Sequence, residues 1–114
     1  MAALKVIPKD EVLALEDKEI RTLLITAYAV EDVQFPEYTD PAWKVVIPAR
    51  RFLGLKIVIS EENGVSLDRH YWIDSRRLIG ILLPLLAQSG GVPRRYRIHK
   101  HGTPPDSYYE AKAT

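Results

Sequence analysis

The sequence predicts an α+β domain in which a small antiparallel β-sheet of about four strands carries helices on one face. Three observations favour this class. The pair Asn63-Gly64 separates two runs rich in β-branched residues, a capped helical pattern covers residues 74–89, and residues 94–101 alternate like a strand. The chain has 114 residues, of which 46% are hydrophobic and 27% charged, so we expect one domain with one core rather than a disordered chain.

The front part, residues 1–41, is acidic and is expected to be helical. Pro8 and the charged residues after it predict a short helix that reaches about residue 16. Asp17 can cap a second helix, because apolar residues recur at helical spacing behind it. Residues 20–33 are also rich in β-branched side chains, so a long strand is the alternative for this stretch.

The basic part, residues 42–101, is predicted to hold the sheet and one further helix. Residues 43–47 form a first strand, which Pro48 stops. Residues 94–101 form the last strand, and residues 102–114 follow as a polar tail.

The central strands, residues 55–62 and 65–73, are joined by the Asn63-Gly64 turn. This turn needs positive φ at both central positions, which Asn and Gly tolerate. A two-residue turn fixes the register, and the register decides which side chains share a face. One face then carries Lys56, Arg69 and Tyr71.

The pair Asp74-Ser75 offers an N-cap for a long helix that is expected to run to about residue 89 and to end at Gly90. Leucine and isoleucine surround it almost completely, and Pro84 is expected to kink it or split it. A helix that is apolar on nearly all sides must be buried all round. In so small a domain this predicts a homodimer formed through the helix between Leu78 and Leu86.

The charge is distributed unevenly along the chain. The net charge is +1, but residues 1–49 carry five Lys and Arg against nine Asp and Glu. Residues 50–101 carry ten against four, together with all three histidines. This segregation points to an anionic partner for the central and C-terminal part.

Several classes of protein are excluded or disfavoured by composition. The absence of cysteine excludes a disulfide scaffold, thiol catalysis and thiolate metal sites. The longest apolar run is far shorter than the roughly 20 residues that span a bilayer, and no export signal is visible, so we expect a cytoplasmic protein without a membrane partner. The scarcity of Met, Asn and Gln, together with the arginine content, indicates a thermophilic source.

The most informative pattern is the interleaving of basic and aromatic residues on sheet and loop positions. Cations can follow the phosphates of a nucleic acid while aromatic faces stack on its unpaired bases. We therefore predict a non-enzymatic, sequence-tolerant groove for single-stranded DNA or RNA. The expected binding residues are Arg50, Arg51, Phe52, Lys56, Arg69, Tyr71, Arg95, Tyr96, Arg97 and Lys100. Arg76 and Arg77 stand at a helix start, where cations oppose the dipole, and this placement favours an anion nearby.

Three alternatives use the same residues differently. The arginines could form surface ion networks with the acidic front part. A small ribonuclease could use general acid–base chemistry, or the chain could be an adaptor subunit of a viral or ribonucleoprotein assembly. The ribonuclease residues would be His70, His99, His101, Tyr96 and Arg97.

A metal site needs more than the two histidines on the last strand. His99 and His101 share a strand face and could chelate a metal, with a third ligand from His70 or Asp68 on a neighbouring strand. We expect no cofactor and no metal.

The chain resembles the archaeal single-stranded-DNA-binding proteins of the ThermoDBP type in size and in its basic and aromatic residues on a small sheet. This resemblance implies a single-stranded-DNA cleft and a dimer. The sequence departs from that group because no heptad repeat follows Gly102, so the leucine-rich helix would have to supply the dimer contact. The resemblance is carried by Trp43, Arg50, Arg51, Phe52, Tyr71, Arg95 and Arg97.

Overall fold

The computed structural model describes residues 5–39, 44–102 and 107–114, which form seven strands, one α-helix and a short 3₁₀ turn at Lys9–Glu11. The elements are β1 (Ile20–Phe35), β2 (Tyr38–Thr39), β3 (Val46–Ile47), β4 (Arg50–Glu62), β5 (Val65–Ile73), α1 (Arg76–Gln88), β6 (Arg94–His101) and β7 (Tyr108–Ala113).

The main sheet has five antiparallel strands in the order β5-β4-β1-β6-β7, and β2 and β3 form a separate small pair. The predicted antiparallel sheet is confirmed, but its members differ from the four expected. β1 was only the alternative for its stretch and β7 was not predicted, whereas the predicted first strand, residues 43–47, contributes only β3 (Val46–Ile47) to the separate small pair. β1 is the central strand. It pairs with β4 over most of its length and with β6 only over Ile20 to Ile25.

The predicted helices of the front part are wrong. Residues 20–35 form the long strand β1, which was the alternative, because its β-branched residues suit a pleated surface and two strands are available to pair with it. The first predicted helix is reduced to the three-residue 3₁₀ turn. After this turn Leu13 and Leu15 are buried in non-helical chain.

The hairpin is confirmed, but its predicted register holds only next to the turn. Glu62 pairs with Val65 as expected, and Asn63 has the positive φ that the turn requires. A bulge between Ile59 and Glu61 then shifts the pairing by one residue, so that Lys56 lies opposite Trp72. One residue of slip moves a side chain to the other face, which changes the role of every predicted site residue on β5.

α1 is confirmed as a helix capped by Ser75, whose side chain accepts a hydrogen bond from Leu78 N at 3.2 Å. Pro84 lies inside one continuous helix and does not divide it. Leu82 is fully buried in the core, which contains residues of α1 and of all three central strands. Burial against its own sheet accounts for much of the apolar character of α1, and the homodimer through this helix stays a prediction. The core residues of α1 are Leu78, Leu82 and Leu86, with Ile79, Leu83 and Leu85 partly buried against them.

The two faces of the sheet differ. The helix face carries the main core. The opposite side carries a second, smaller cluster of Ile7, Val33, Phe35 and Trp72. The open face is the β6 and β7 end of this side, where the positions alternate with buried Tyr96 and Ile98. The strand predicted for residues 94–101 is confirmed, whereas the expected polar tail forms β7 instead. Its Tyr109, Ala111 and Ala113 pack against the core.

Candidate functional site

A cleft lies where β4 starts and β5 leads into α1. It is bordered by the N-terminal segment, the first residues of β4, the first turn of α1 and the β6–β7 pair, and its volume is about 1060 Å³. We call it the basic cleft. The cations that line it, among the described residues, are Lys9, Arg50, Arg51, Arg76, Arg77 and Lys100.

The start of α1 gives the basic cleft part of its positive potential. Arg76 and Arg77 occupy the first turn, which holds no acidic residue. The N-terminus of a helix carries a partial positive charge, so cations there are disfavoured unless an anion offsets them. Arg77 Nη1 donates a hydrogen bond to the carbonyl oxygen of Ser107 at 2.8 Å, which joins α1 to the segment before β7.

Two arginines of the cleft are also held by carboxylates. Arg50 Nη2 lies 2.9 Å from Asp74 Oδ2, and Arg51 Nη2 lies 2.9 Å from Asp32 Oδ2. The hydrogen bond and charge of Asp32 raise the pKa of Arg51 above its usual value. Asp74 is the one carboxylate among the described lining residues, and Asp32 holds Arg51 from outside the lining, so six cations outnumber two carboxylates and the cleft has a net positive charge.

Phe52 is packed rather than open. Its ring stacks on Phe35 with 4.8 Å between centroids, while the guanidinium carbons of Arg50 and Arg76 lie 5.6 and 5.5 Å from its centroid. These contacts orient the two arginines at the cleft. They leave little of the ring for a base to stack on.

The structure does not bring the ten predicted site residues into one groove. Four of them line the basic cleft, two are buried in the core and four lie elsewhere. The cleft members are Arg50, Arg51, Phe52 and Lys100, the buried ones are Tyr71 and Tyr96, and the remainder are Lys56, Arg69, Arg95 and Arg97.

The predicted stacking role of Tyr71 and Tyr96 is wrong. Tyr71 is 4% exposed and Tyr96 is 1% exposed, so neither ring face can receive a base. The bulge places Tyr71 opposite Ile57 on the helix face, and Tyr96 lies opposite Leu23. Both tyrosines therefore stabilise the core.

Lys56 and Arg69 are engaged outside the basic cleft. The Lys56 ammonium lies 5.9 Å from the ring of Trp72. The Arg69 guanidinium lies 4.5 Å from the ring of Tyr71 and donates a hydrogen bond to the Asp10 carbonyl oxygen at 3.0 Å. The Arg69 contact is to a backbone carbonyl, so it is not the ion pair that the ion-network alternative expects. Such a pair is formed by Arg51 and Asp32.

Arg95 and Arg97 lie on the open face. Arg95 makes two hydrogen bonds to the Glu61 carboxylate, at 2.8 and 3.0 Å. The hydrogen bond from Arg95 lowers the pKa of Glu61, and that carboxylate raises the pKa of Arg95. Arg97 pairs with Lys112 across the β6–β7 ladder, so these two exposed cations are neighbours.

Three of the cations that line the basic cleft, Lys9, Arg76 and Arg77, are not among the ten predicted binding residues. Arg76 and Arg77 had a usable signal, because their position against the helix dipole favours an anion. Lys9 had none, since its place in the cleft depends on the path of the N-terminal segment across the sheet.

The histidines do not assemble the predicted ribonuclease site. His70 lies on β5 and pairs with Glu11, whereas His99 and His101 lie on β6. Three strand spacings separate β5 from β6, which is about 14 Å. Tyr96 is buried as well, so the five residues share no site. His99 and His101 instead lie beside Glu110, a third potential metal ligand that the sequence did not indicate.

Comparison with known proteins assigns the chain to no family. No protein-family model, curated protein or solved structure matches the chain. The ThermoDBP-type resemblance stays a prediction, and Trp43, one of its residues, lies outside the described residues. In the part of the chain that the structure describes, no helix is long and apolar enough to cross a membrane.

Proposed function

We propose that the protein binds the phosphate backbone of single-stranded nucleic acid in the basic cleft, without catalysing a reaction. The observation that supports this most strongly is the convergence of six cations from four separate parts of the chain on one cavity with a single lining carboxylate, among the described residues. Arginine and lysine bind phosphate through charge and hydrogen bonds, and arginine can do so with two parallel bonds.

Charge rather than stacking carries the binding in this proposal. Tyr71 and Tyr96 are buried, and Phe52 is held between Phe35 and two guanidinium groups. Stacking on an open aromatic ring would add roughly 1–3 kcal/mol per base, and little of that is available here. Binding should therefore be tolerant of base identity.

A single strand fits this cleft better than a duplex. Duplex DNA is usually read by a helix with basic residues along its exposed side. The exposed side of α1 after its first turn carries Gly80, Pro84, Ala87 and Gln88, none of which is charged. The cations instead line a cavity formed by several elements, which a flexible backbone can enter.

The test is a fluorescence-anisotropy titration with a labelled thymine oligonucleotide, the matching RNA and a duplex, at several salt concentrations. We expect the double variant Arg76→Gln, Arg77→Gln to bind at least about tenfold more weakly, since a hydrogen bond to a charged group contributes about 1.5–3 kcal/mol. The logarithm of affinity should fall with the logarithm of salt with a slope no steeper than about −4, which corresponds to six phosphate contacts.

The matched control is the double variant Arg97→Gln, Lys112→Gln. It removes the same charge from the open face, and we expect near-unchanged affinity. An oligonucleotide with abasic positions should bind about as well as the thymine strand. An equal loss of oligonucleotide affinity in both double variants, or no binding of the wild type at low salt, would reject the basic cleft as the binding site.

A further inference from the structure

We propose that His99, His101 and Glu110 bind a divalent transition-metal ion on the open face, independently of nucleic-acid binding. One ligand atom from each of the three side chains lies within 4.8 Å of the others. The site is formed by the pairing of β6 with β7, which places Glu110 directly opposite His99. Lys100, between the two histidines, points to the other face and lines the basic cleft.

The two imidazoles are held unusually close together. Their ring centroids are 3.8 Å apart with an angle of 45° between the planes. The ring of His101 also stacks on Tyr108, at 4.6 Å and 12°. The β6–β7 pairing and this stacking hold the His101 ring beside the other two ligands. The side chain therefore loses little conformational freedom when an ion binds.

His101 provides an independent sign that a ligand is expected. Its Nε2 atom is buried and has no hydrogen-bond partner among the described residues. Glu110 Oε2 lies 3.5 Å away but does not form a hydrogen bond with it. A buried polar atom without a partner is costly, and a metal ion between the three side chains would satisfy it.

The ligand set selects the class of ion. Two imidazoles and one carboxylate suit Zn²⁺, Cu²⁺, Ni²⁺ or Fe²⁺, whereas Mg²⁺ and Ca²⁺ prefer oxygen ligands. Metal–ligand bonds near 2.1 Å require ligand atoms about 3.4 Å apart, so modest side-chain rotation would close the site. Three protein ligands leave at least one position for water or an anion.

Two neighbouring cations oppose metal binding. Arg97 and Lys112 occupy the next pair along the same face and border the same small cavity as His99 and Glu110. Their charge lowers the affinity for a cation without supplying a ligand atom. Their removal should therefore strengthen binding, whereas removal of a ligand should weaken it.

The experiment is calorimetric titration of chelator-treated protein with ZnCl₂, supported by the visible absorption spectrum of the Co²⁺ complex. We expect one ion per chain and at least tenfold weaker binding for His99→Ala, His101→Ala and Glu110→Gln. His70→Ala is the control, because His70 is paired with Glu11 away from this cluster, and should bind as the wild type does. The variant Arg97→Gln, Lys112→Gln should bind Zn²⁺ more tightly.

A measurement on the unaltered chain keeps the proposal testable if a variant fails to fold. Zn²⁺ should shift the NMR signals of two of the three histidine rings and leave the third in place. Zn²⁺ binding that His101→Ala leaves unchanged, a shift of the His70 signal alone, or no detectable binding at millimolar Zn²⁺ would overturn the proposal.

Discussion

Tyr71 shows how one position on a strand decides the role of a side chain. The sequence places it among basic residues on a binding face, but the bulge in β5, where Leu67 and Asp68 oppose Ser60, moves it to the helix face. There its hydroxyl donates a hydrogen bond to Glu62. Burial raises the pKa of Tyr71, and the hydrogen bond to the Glu62 carboxylate raises it further.

Because the pKa of Tyr71 is raised in the folded state, the contribution of this side chain to stability should depend on pH. A tyrosine whose pKa is higher in the folded state stabilises the protein below its unfolded pKa of about 10, and this contribution is lost as pH rises through the folded value. We expect Tyr71→Phe to lower the free energy of unfolding by about 0.5–1.5 kcal/mol at neutral pH. The difference in free energy of unfolding between the variant and the wild type should become smaller above a pH of about 10.

Urea denaturation of both proteins at neutral and alkaline pH measures this effect. Tyr28→Phe is the control, since Tyr28 is partly exposed on β1, and it should change stability little at either pH. A Tyr71→Phe deficit that stays constant across the pH range would show that the Glu62 hydrogen bond is not responsible.

At the scale of elements, local signals predicted some parts of the fold and not others. The turn at Asn63, the helix capped by Ser75 and the last predicted strand each carry a signal within a few residues. β1 does not, because its apolar residues fit a helical spacing as well as a strand, and its pairing with β4 and β6 decides between them. β7 looked like a tail because half of its residues face solvent.

The packing of α1 predicts the effect of a core substitution. Leu82 is fully buried between α1 and the sheet, so Leu82→Ala should lower the free energy of unfolding by about 2–5 kcal/mol. Because the contact is within one chain, the loss should be the same at low and high protein concentration. Chemical denaturation at two concentrations checks this.

Pro84→Ala is the control for that experiment, because Pro84 is an exposed position of the same helix. It should not destabilise the protein, since alanine has a better helix propensity and nothing buried is removed. A Leu82→Ala deficit that disappears on dilution of both proteins would instead indicate that α1 is an interface between chains.

At the scale of the whole molecule, the sequence indicated charge segregation but not its arrangement. Acidic residues of the front part contact basic ones, as in the Asp32–Arg51 and Glu11–His70 pairs. Six of the described cations, Arg51 among them, line the basic cleft, whereas Arg95, Arg97 and Lys112 lie on the open face. This division depends on the bulge, on strand order and on the path of residues 5–15, all of which are long-range features that local patterns do not contain.

The same division gives the molecule two separate chemical surfaces. The basic cleft on the α1 side is suited to phosphate, and the β6–β7 pair on the open face is suited to a metal ion. Lys100 and its neighbours His99 and His101 point to different sides of one strand, so a single strand contributes to both.

The most direct test of the account is an NMR titration of the ¹⁵N-labelled protein with an unlabelled thymine oligonucleotide at low salt. We predict that the amide signals of Arg50–Phe52 and of the first turn of α1 shift, together with the guanidinium signals of Arg76 and Arg77. The amides of Arg97 and Lys112 should stay in place. Shifts confined to the open face, or no shift at any residue, would contradict the assignment of the basic cleft as the nucleic-acid site.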